Sequence, residues 1–271
     1  MRDGFGRDRL DAHGNPIGYI ARSLADGRGC NLPSALSGDP YLPQIVAKTM
    51  EIGARGKFKN LLEWNISAYQ TKVNDDIYLV SATPQLSFFQ SIGKTRREGI
   101  EFGLSGEYGK SDFSVNYSYT RAMFDTSFNM ISPNNSATLS NDTGSPLYGM
   151  IGVDPGDRMP GVPLHNINIG WGYKVTPAFK IGFNVIGHGN SFVRGNENNE
   201  HTTGPGKGVI TRVLEPTGQY VSKLVPTPAF KTRGTSPGYA ILNFRSSYDF
   251  GKGWTATLLV NNLLDKEYFS A

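Results

Sequence analysis

From Gly99 to Phe124 apolar and polar residues alternate with a period of two across a short polar break. Ile100, Phe102, Leu104 and Tyr108 fall on one face, and Glu101, Gly103, Ser105 and Glu107 on the other. After a turn over Gly109 to Asp112, Phe113, Val115, Tyr117 and Tyr119 alternate with Ser114, Asn116, Ser118 and Thr120. This predicts a β-hairpin with an aromatic-rich apolar face.

The same period recurs along the chain. Met50, Ile52 and Ala54 oppose Thr49, Glu51, Gly53 and Arg55; after a GKFKN turn, Leu62, Trp64, Ile66 and Ala68 oppose Glu63, Asn65, Ser67 and Tyr69 in a strand expected to run on to Tyr78. Ser81 to Leu86 is expected to be a loop. Ile167, Ile169, Trp171 and Tyr173 alternate with Asn168, Gly170, Gly172 and Lys174, and after VTPA come Phe179, Ile181, Phe183 and Val185. A last pair carries Ala240, Leu242, Phe244, Tyr248 and Phe250, then Trp254, Ala256, Leu258 and Val260, around Gly251-Lys252-Gly253. About eight strands result. Residues 1–44 and the segments near 125–163 and 189–237 are rich in Gly, Pro, Asn and Ser, lack the period and are expected to be long loops.

Short turns therefore alternate with long loops, the pattern of outer-membrane barrels with short periplasmic turns and long extracellular loops. Tyr108 and Phe113, Tyr173 and Phe179, and Phe250 and Trp254 each bracket a short turn, which predicts an aromatic girdle at the periplasmic end. The expected fold is all-β: an antiparallel meander from a transmembrane β-barrel, with 45–271 supplying the strands. A soluble sandwich would share the short strands and hairpins, but would not require all long loops on one side.

Composition agrees. The 271 residues include 33 Gly, 13 Tyr and 15 Phe, and a mean hydropathy of -0.34 suits a sheet whose faces average out. No run reaches the ~18 apolar residues of a membrane helix. The net charge of +4 comes from scattered residues without a basic block, which argues against nucleic acid as a partner. Cys30 has no internal partner, leaving a free thiol or a pairing outside this stretch. The first ten residues have no apolar core or small-residue cleavage site, so no signal peptide is read there.

No catalytic constellation emerges. Asp75-Asp76 reads as a solvated hairpin tip, and His13, His165, His188 and His201 lack metal-ligand spacing. His165 is expected to cap or pack at a strand start and His201 to lie in solvent. Gly204 to Gly208, GPGKG, has neither the strand nor the helix of a phosphate loop and reads as a flexible loop. Arg96 and Arg97 could grip an anion, with Arg97 alternatively paired to a lumenal carboxylate such as Glu101. No Gly-x-Ser-x-Gly elbow is present, which argues against a barrel hydrolase. The sequence names no catalytic, metal or ligand-contact residue and no cofactor, and the expectation is a protein that is not an enzyme.

Four stretches resemble TonB-dependent outer-membrane receptors, the active transporters of siderophores, cobalamin and other scarce nutrients. Leu42 to Gly56 carries a Glu-x-Gly pair at Glu51 and Gly53; Gly93 to Gly106 carries Arg97, Gly99, Ile100 and Glu101 in an Arg-x-Gly-hydrophobic-Glu strand. Gly156 to Tyr173 carries Pro160, Gly161, Pro163 and His165 at a strand opening, and Val260 to Ser270 resembles the Asn-Leu-Phe-Asp-Lys-x-Tyr signature, with Leu264 in place of phenylalanine. They stand in the family's order and span most of the chain.

The resemblance implies the later part of a barrel of about 22 strands, truncated at both ends, without TonB box or plug domain and with an open, strongly curved sheet. It implies the bacterial outer membrane as the location, with outer-membrane lipid as a partner. It further implies the TonB complex, reached through a missing N-terminal part, and a small nutrient ligand at the extracellular loops. A passive channel of porin type and a non-functional gene fragment are the alternatives.

Overall fold

The computed structural model describes residues 42–59, 61–81, 87–216 and 218–269; His13, Cys30 and most of the 1–44 segment lie outside them. In chain order the strands are β1 (Val46–Phe58), β2 (Leu62–Asn74), β3 (Ile77–Ser81), β4 (Ser87–Ser91), β5 (Thr95–Tyr108) and β6 (Ser111–Phe124). Then follow β7 (Phe128–Ile131), β8 (Met150–Val153), β9 (His165–Lys174), β10 (Phe179–His188) and β11 (Ser191–Phe192). The last are β12 (Val209–Leu214), β13 (Tyr220–Val225), β14 (Thr235–Ser236), β15 (Tyr239–Gly251) and β16 (Trp254–Val260).

Eight of these form one antiparallel sheet in the order β1-β2-β5-β6-β9-β10-β15-β16. It is an open meander, with β1 at one edge and β16 at the other. Its hairpins close through short turns at one end, where residues in the left-handed region reverse the chain, as Gly251, Lys252 and Gly253 do at φ 78°, 52° and 85°. Between hairpins the chain makes its long connections at the other end.

The predicted alternation holds in register. Ala54, Ile66, Phe102, Tyr117 and Ile167 stand opposite one another on five successive strands. Phe113, Trp171, Phe183 and Phe244 form an aromatic row on the same apolar face, with Trp171 and Phe183 stacked at 6.1 Å. Near the short turns Tyr108, Phe250 and Trp254 are 76%, 67% and 75% exposed, as a girdle toward a lipid interface requires.

On the opposite, polar face Asn184 donates to Asn168 at 2.6 Å, and Asn243 accepts from the Asn262 backbone at 2.8 Å. Gly99 is required on this face, because a Cβ there would lie 2.4 Å from the Tyr119 carbonyl oxygen and 2.8 Å from the Tyr69 ring.

The expected continuation of the second strand to Tyr78 is corrected. β2 stops at Asn74 because Asp75 turns into the left-handed region at φ 54°, and Ile77–Ser81 pairs instead with Ser87–Ser91. The segments near 125–163 and 189–237 contain strands as well: β7 pairs with β8, β12 with β13, and β11 with β14. These strands are two to six residues long, too short for a period to show.

The apolar core also sits outside the main sheet's faces. Val80, Ile92, Phe124, Met130, Ile151 and Val153 are buried together, with Tyr78, Phe88, Phe128 and Met159 packed around them. They form a layer at the long-connection end, where β3–β4 and β7–β8 meet the end of β6. The main sheet leaves Ile52, Ile66, Ile100 and Leu258 exposed, the distribution expected of strands whose apolar partner is lipid rather than protein.

Candidate functional site

The long connections are organised around one turn, residues 194–201. Asn196, Glu197 and Asn198 are 1%, 0% and 3% exposed; polar groups this deep are costly unless hydrogen-bonded, and among these three side chains the Asn198 Nδ2 donor is left without a partner. The Glu197 carboxylate accepts from the Tyr78 hydroxyl at 3.2 Å and from the Gly195 backbone N–H at 3.0 Å. Asn196 donates to the Gly234 carbonyl at 2.9 Å and accepts from the His201 N–H at 2.9 Å. Asn198 accepts from the Asn135 side chain at 2.9 Å. Asn199, at φ 57°, bonds both backbone groups of Arg158, at 2.7 and 3.0 Å.

One turn thus ties together β3, the 132–136 segment, residue 158 and the 230s. Arg194 extends the link to β3, donating to the Leu79 carbonyl with its guanidinium over the Tyr78 ring. Burial pushes the Glu197 carboxyl above the ordinary glutamate value, and the Tyr78 hydroxyl is pushed up by burial and then by the Glu197 charge. Next to the turn lies an open, largely apolar cavity of about 820 Å³, with Tyr78, Pro160, Phe192, Arg194, Thr235 and Phe269 on its walls. Such a concavity, mostly apolar with one cation, suits a bulky ligand that carries negative charge.

The residues singled out in the sequence fall mainly around this layer. Asp76 is not a solvated tip: it is 9% exposed and accepts from Thr95 Oγ1 at 2.5 Å and Arg97 at 3.1 Å. It secures the base of the β3–β4 excursion, and Arg97 pairs with it rather than with Glu101. Arg96 points to the other face, within 3.7 Å of Glu98 and 3.5 Å of Asp125. His201 is held rather than left in solvent, since Nδ1 accepts from the Ser136 N–H at 2.8 Å and its ring meets Phe230 edge-on.

His165 packs as expected, with Nδ1 2.8 Å from the Tyr117 hydroxyl and its ring against Tyr119. His188 bonds Asn166 on the polar face. In the GPGKG stretch Gly204 and Phe230 exchange two backbone hydrogen bonds, so the segment is paired rather than a free loop. Gly161 donates to the Phe192 carbonyl at 2.8 Å, which fixes the Pro-Gly motif beside the cavity. In the last motif the Asn262 side chain bonds both backbone groups of Lys266, donating to its carbonyl at 3.0 Å and accepting from its N–H at 2.9 Å, while Tyr268 stacks on Tyr239 at 4.5 Å.

Sequence reading missed Tyr78, Glu197 and the asparagines. The one available signal was the run Asn196-Glu197-Asn198-Asn199, four adjacent side chains able to bond backbone, more than a solvated loop needs. Among the described residues no three His, Cys, Asp or Glu side chains group as metal ligands would.

The family described as TonB dependent receptor-like, beta-barrel matches residues 12–263. The chain is similar in fold to the siderophore receptor PiuA from Acinetobacter baumannii, at 21% identity and a TM-score of 0.53 over 83% of this chain and 25% of that one. It is also similar to the ferric-catecholate import receptor Fiu from K12 E. coli, at 16% identity and 0.52 over 87% and 26%. A third is the copper transporter OprC, at 13% identity and 0.52 over 84% and 27%. Each likeness is one of fold, and the chain spans about a quarter of each of these structures. Against curated proteins it has no match. With eight meandering strands, a loop layer at one end and a family match across nearly its whole length, this chain belongs to the TonB-dependent receptor β-barrel family.

Proposed function

We propose that this chain forms wall and ligand mouth of a bacterial outer-membrane receptor that imports a scarce nutrient, such as siderophore-bound iron or cobalamin, with energy supplied through the TonB complex. The observation that carries the reading is the joined loop layer: the long connections are locked together by the buried 194–201 turn beside a concavity. In this reading the apolar face meets lipid, where closure of the barrel leaves no unpaired backbone in hydrocarbon. The polar face lines the lumen, and the long connections face the cell exterior.

The relatives named for siderophore and ferric-catecholate import favour a metal chelate as ligand, and the copper transporter keeps the metal class open. The chain's own chemistry supports binding by loops. The test is chelate uptake by cells carrying the intact gene, an in-frame deletion, or the intact gene with the membrane uncoupled. Uptake lost in the last two supports the proposal; uptake that survives uncoupling would make the barrel a passive channel.

A further inference from the structure

We infer that Lys48, Lys72 and Arg96 form a binding site for the phosphate groups of an outer-leaflet lipid. Lys48 on β1 stands directly opposite Lys72 on β2, and Lys72 directly opposite Arg96 on β5. All three lie on the apolar face, in phase with Ile52, Ile66 and Ile100, at the long-connection end of their strands. Four residues separate Lys48 from Ile52 and Arg96 from Ile100, about 13 Å along a strand, which places the cations at the border of the apolar belt, level with headgroups.

Like charges directly opposite on neighbouring strands repel. Lys48 and Lys72 are exposed, and among the described residues neither has an ion-pair partner. The acidic groups nearby leave the two lysines uncompensated: Glu98 and Asp125 lie by Arg96, and Glu98 also accepts from Gln70 and stands opposite Arg121. Arg96 keeps one buried donor, Nε, without a partner.

The patch holds the cations Lys48, Lys72, Arg96 and Arg121 against the anions Glu98 and Asp125. On the apolar face of β9, β10, β15 and β16 no Asp, Glu, Lys or Arg occurs, so this charge is confined to one side of the sheet. Neighbouring strands lie about 4.8 Å apart, a spacing at which one phosphate reaches two cations. Arginine supplies a planar fork and lysine a mobile point charge. A lipid rather than a free anion fits, because its acyl chains would lie against Ile52, Ile66 and Ile100 while its phosphates meet the cations. This inference rests on the outer-membrane reading above.

The test is lipid A binding to the detergent-solubilised intact receptor, read by native mass spectrometry, for wild type, Lys48→Gln/Lys72→Gln and, as control, Lys180→Gln on the polar face. The double variant is expected to bind roughly thirtyfold more weakly, as loss of two lysines near an anionic surface implies, with the control unchanged and inorganic phosphate not competing. Equal binding by the double variant, or displacement of lipid A by equimolar phosphate, overturns the site. Insertion into phosphatidylcholine vesicles separates the two failures: wild type that does not insert contradicts the outer-membrane reading and the site together, whereas normal insertion with equal binding contradicts the site alone.

Discussion

The Tyr78 hydroxyl donates to the buried Glu197 carboxylate at 3.2 Å across 119 residues of chain. It joins the first excursion above the sheet to the turn that holds the later ones, so its loss is expected to loosen one without melting the strands. Tyr78→Phe removes the donor and little volume, and should weaken the loop layer by about 1–3 kcal/mol. Hydrogen exchange on the intact receptor checks this: residues 194–201 should exchange faster while β5 and β6 keep their protection.

The same carboxyl makes the layer sensitive to pH. Its folded value is raised by burial, so between the unfolded and folded values the native cluster binds more protons, and stability falls as pH rises through that interval. The 194–201 turn should therefore be better protected at mildly acid pH than at neutrality. Glu197→Gln should remove most of that dependence, and an unchanged slope in this variant would assign the effect to another group, such as the partly buried Asp157 carboxyl, which desolvation raises in the same direction.

Gly99 offers a test of the sheet itself. A Cβ there meets backbone, the Tyr119 carbonyl at 2.4 Å, whereas at Gly103 the nearest atoms belong to the flexible Asn65 side chain. Gly99→Ala should destabilise the barrel by about 1–3 kcal/mol, and Gly103→Ala by clearly less. The heat-induced mobility shift of the receptor on gels ranks them.

The two faces can be told apart one residue at a time. Ile169 and Asn168 are neighbours on β9, one on the apolar and one on the polar face. Ile169→Arg should cost about 2–4 kcal/mol if it enters the bilayer near its midplane, while Asn168→Arg should be tolerated. Equilibrium unfolding from lipid vesicles measures both, and equal costs would mean that the faces are misassigned.

The main sheet was legible because a period of two survives in strands of seven to fourteen residues, and every hairpin predicted from it is present. The upper layer was not, for a physical reason. Asn196, Glu197 and Asn198 act through side-chain bonds, most of them to distant segments, which leave no period, and the end of β2 at Asp75 shows in the sequence only as the Asn74-Asp75-Asp76 run. Asp76 and Arg97 illustrate the same limit: each was visible as a charge, but their pairing depends on the β3–β4 excursion, which alternation alone could not locate.

In the reading proposed above, these eight strands are a portion of a larger receptor barrel. The intact mass of the outer-membrane polypeptide carrying this sequence tests it most directly. A heat-modifiable product several times the 29.6 kDa of this chain, as a barrel of about 22 strands requires, is the predicted result. A folded outer-membrane product of about this chain's own mass would contradict it, leaving a small self-standing barrel in place of a receptor.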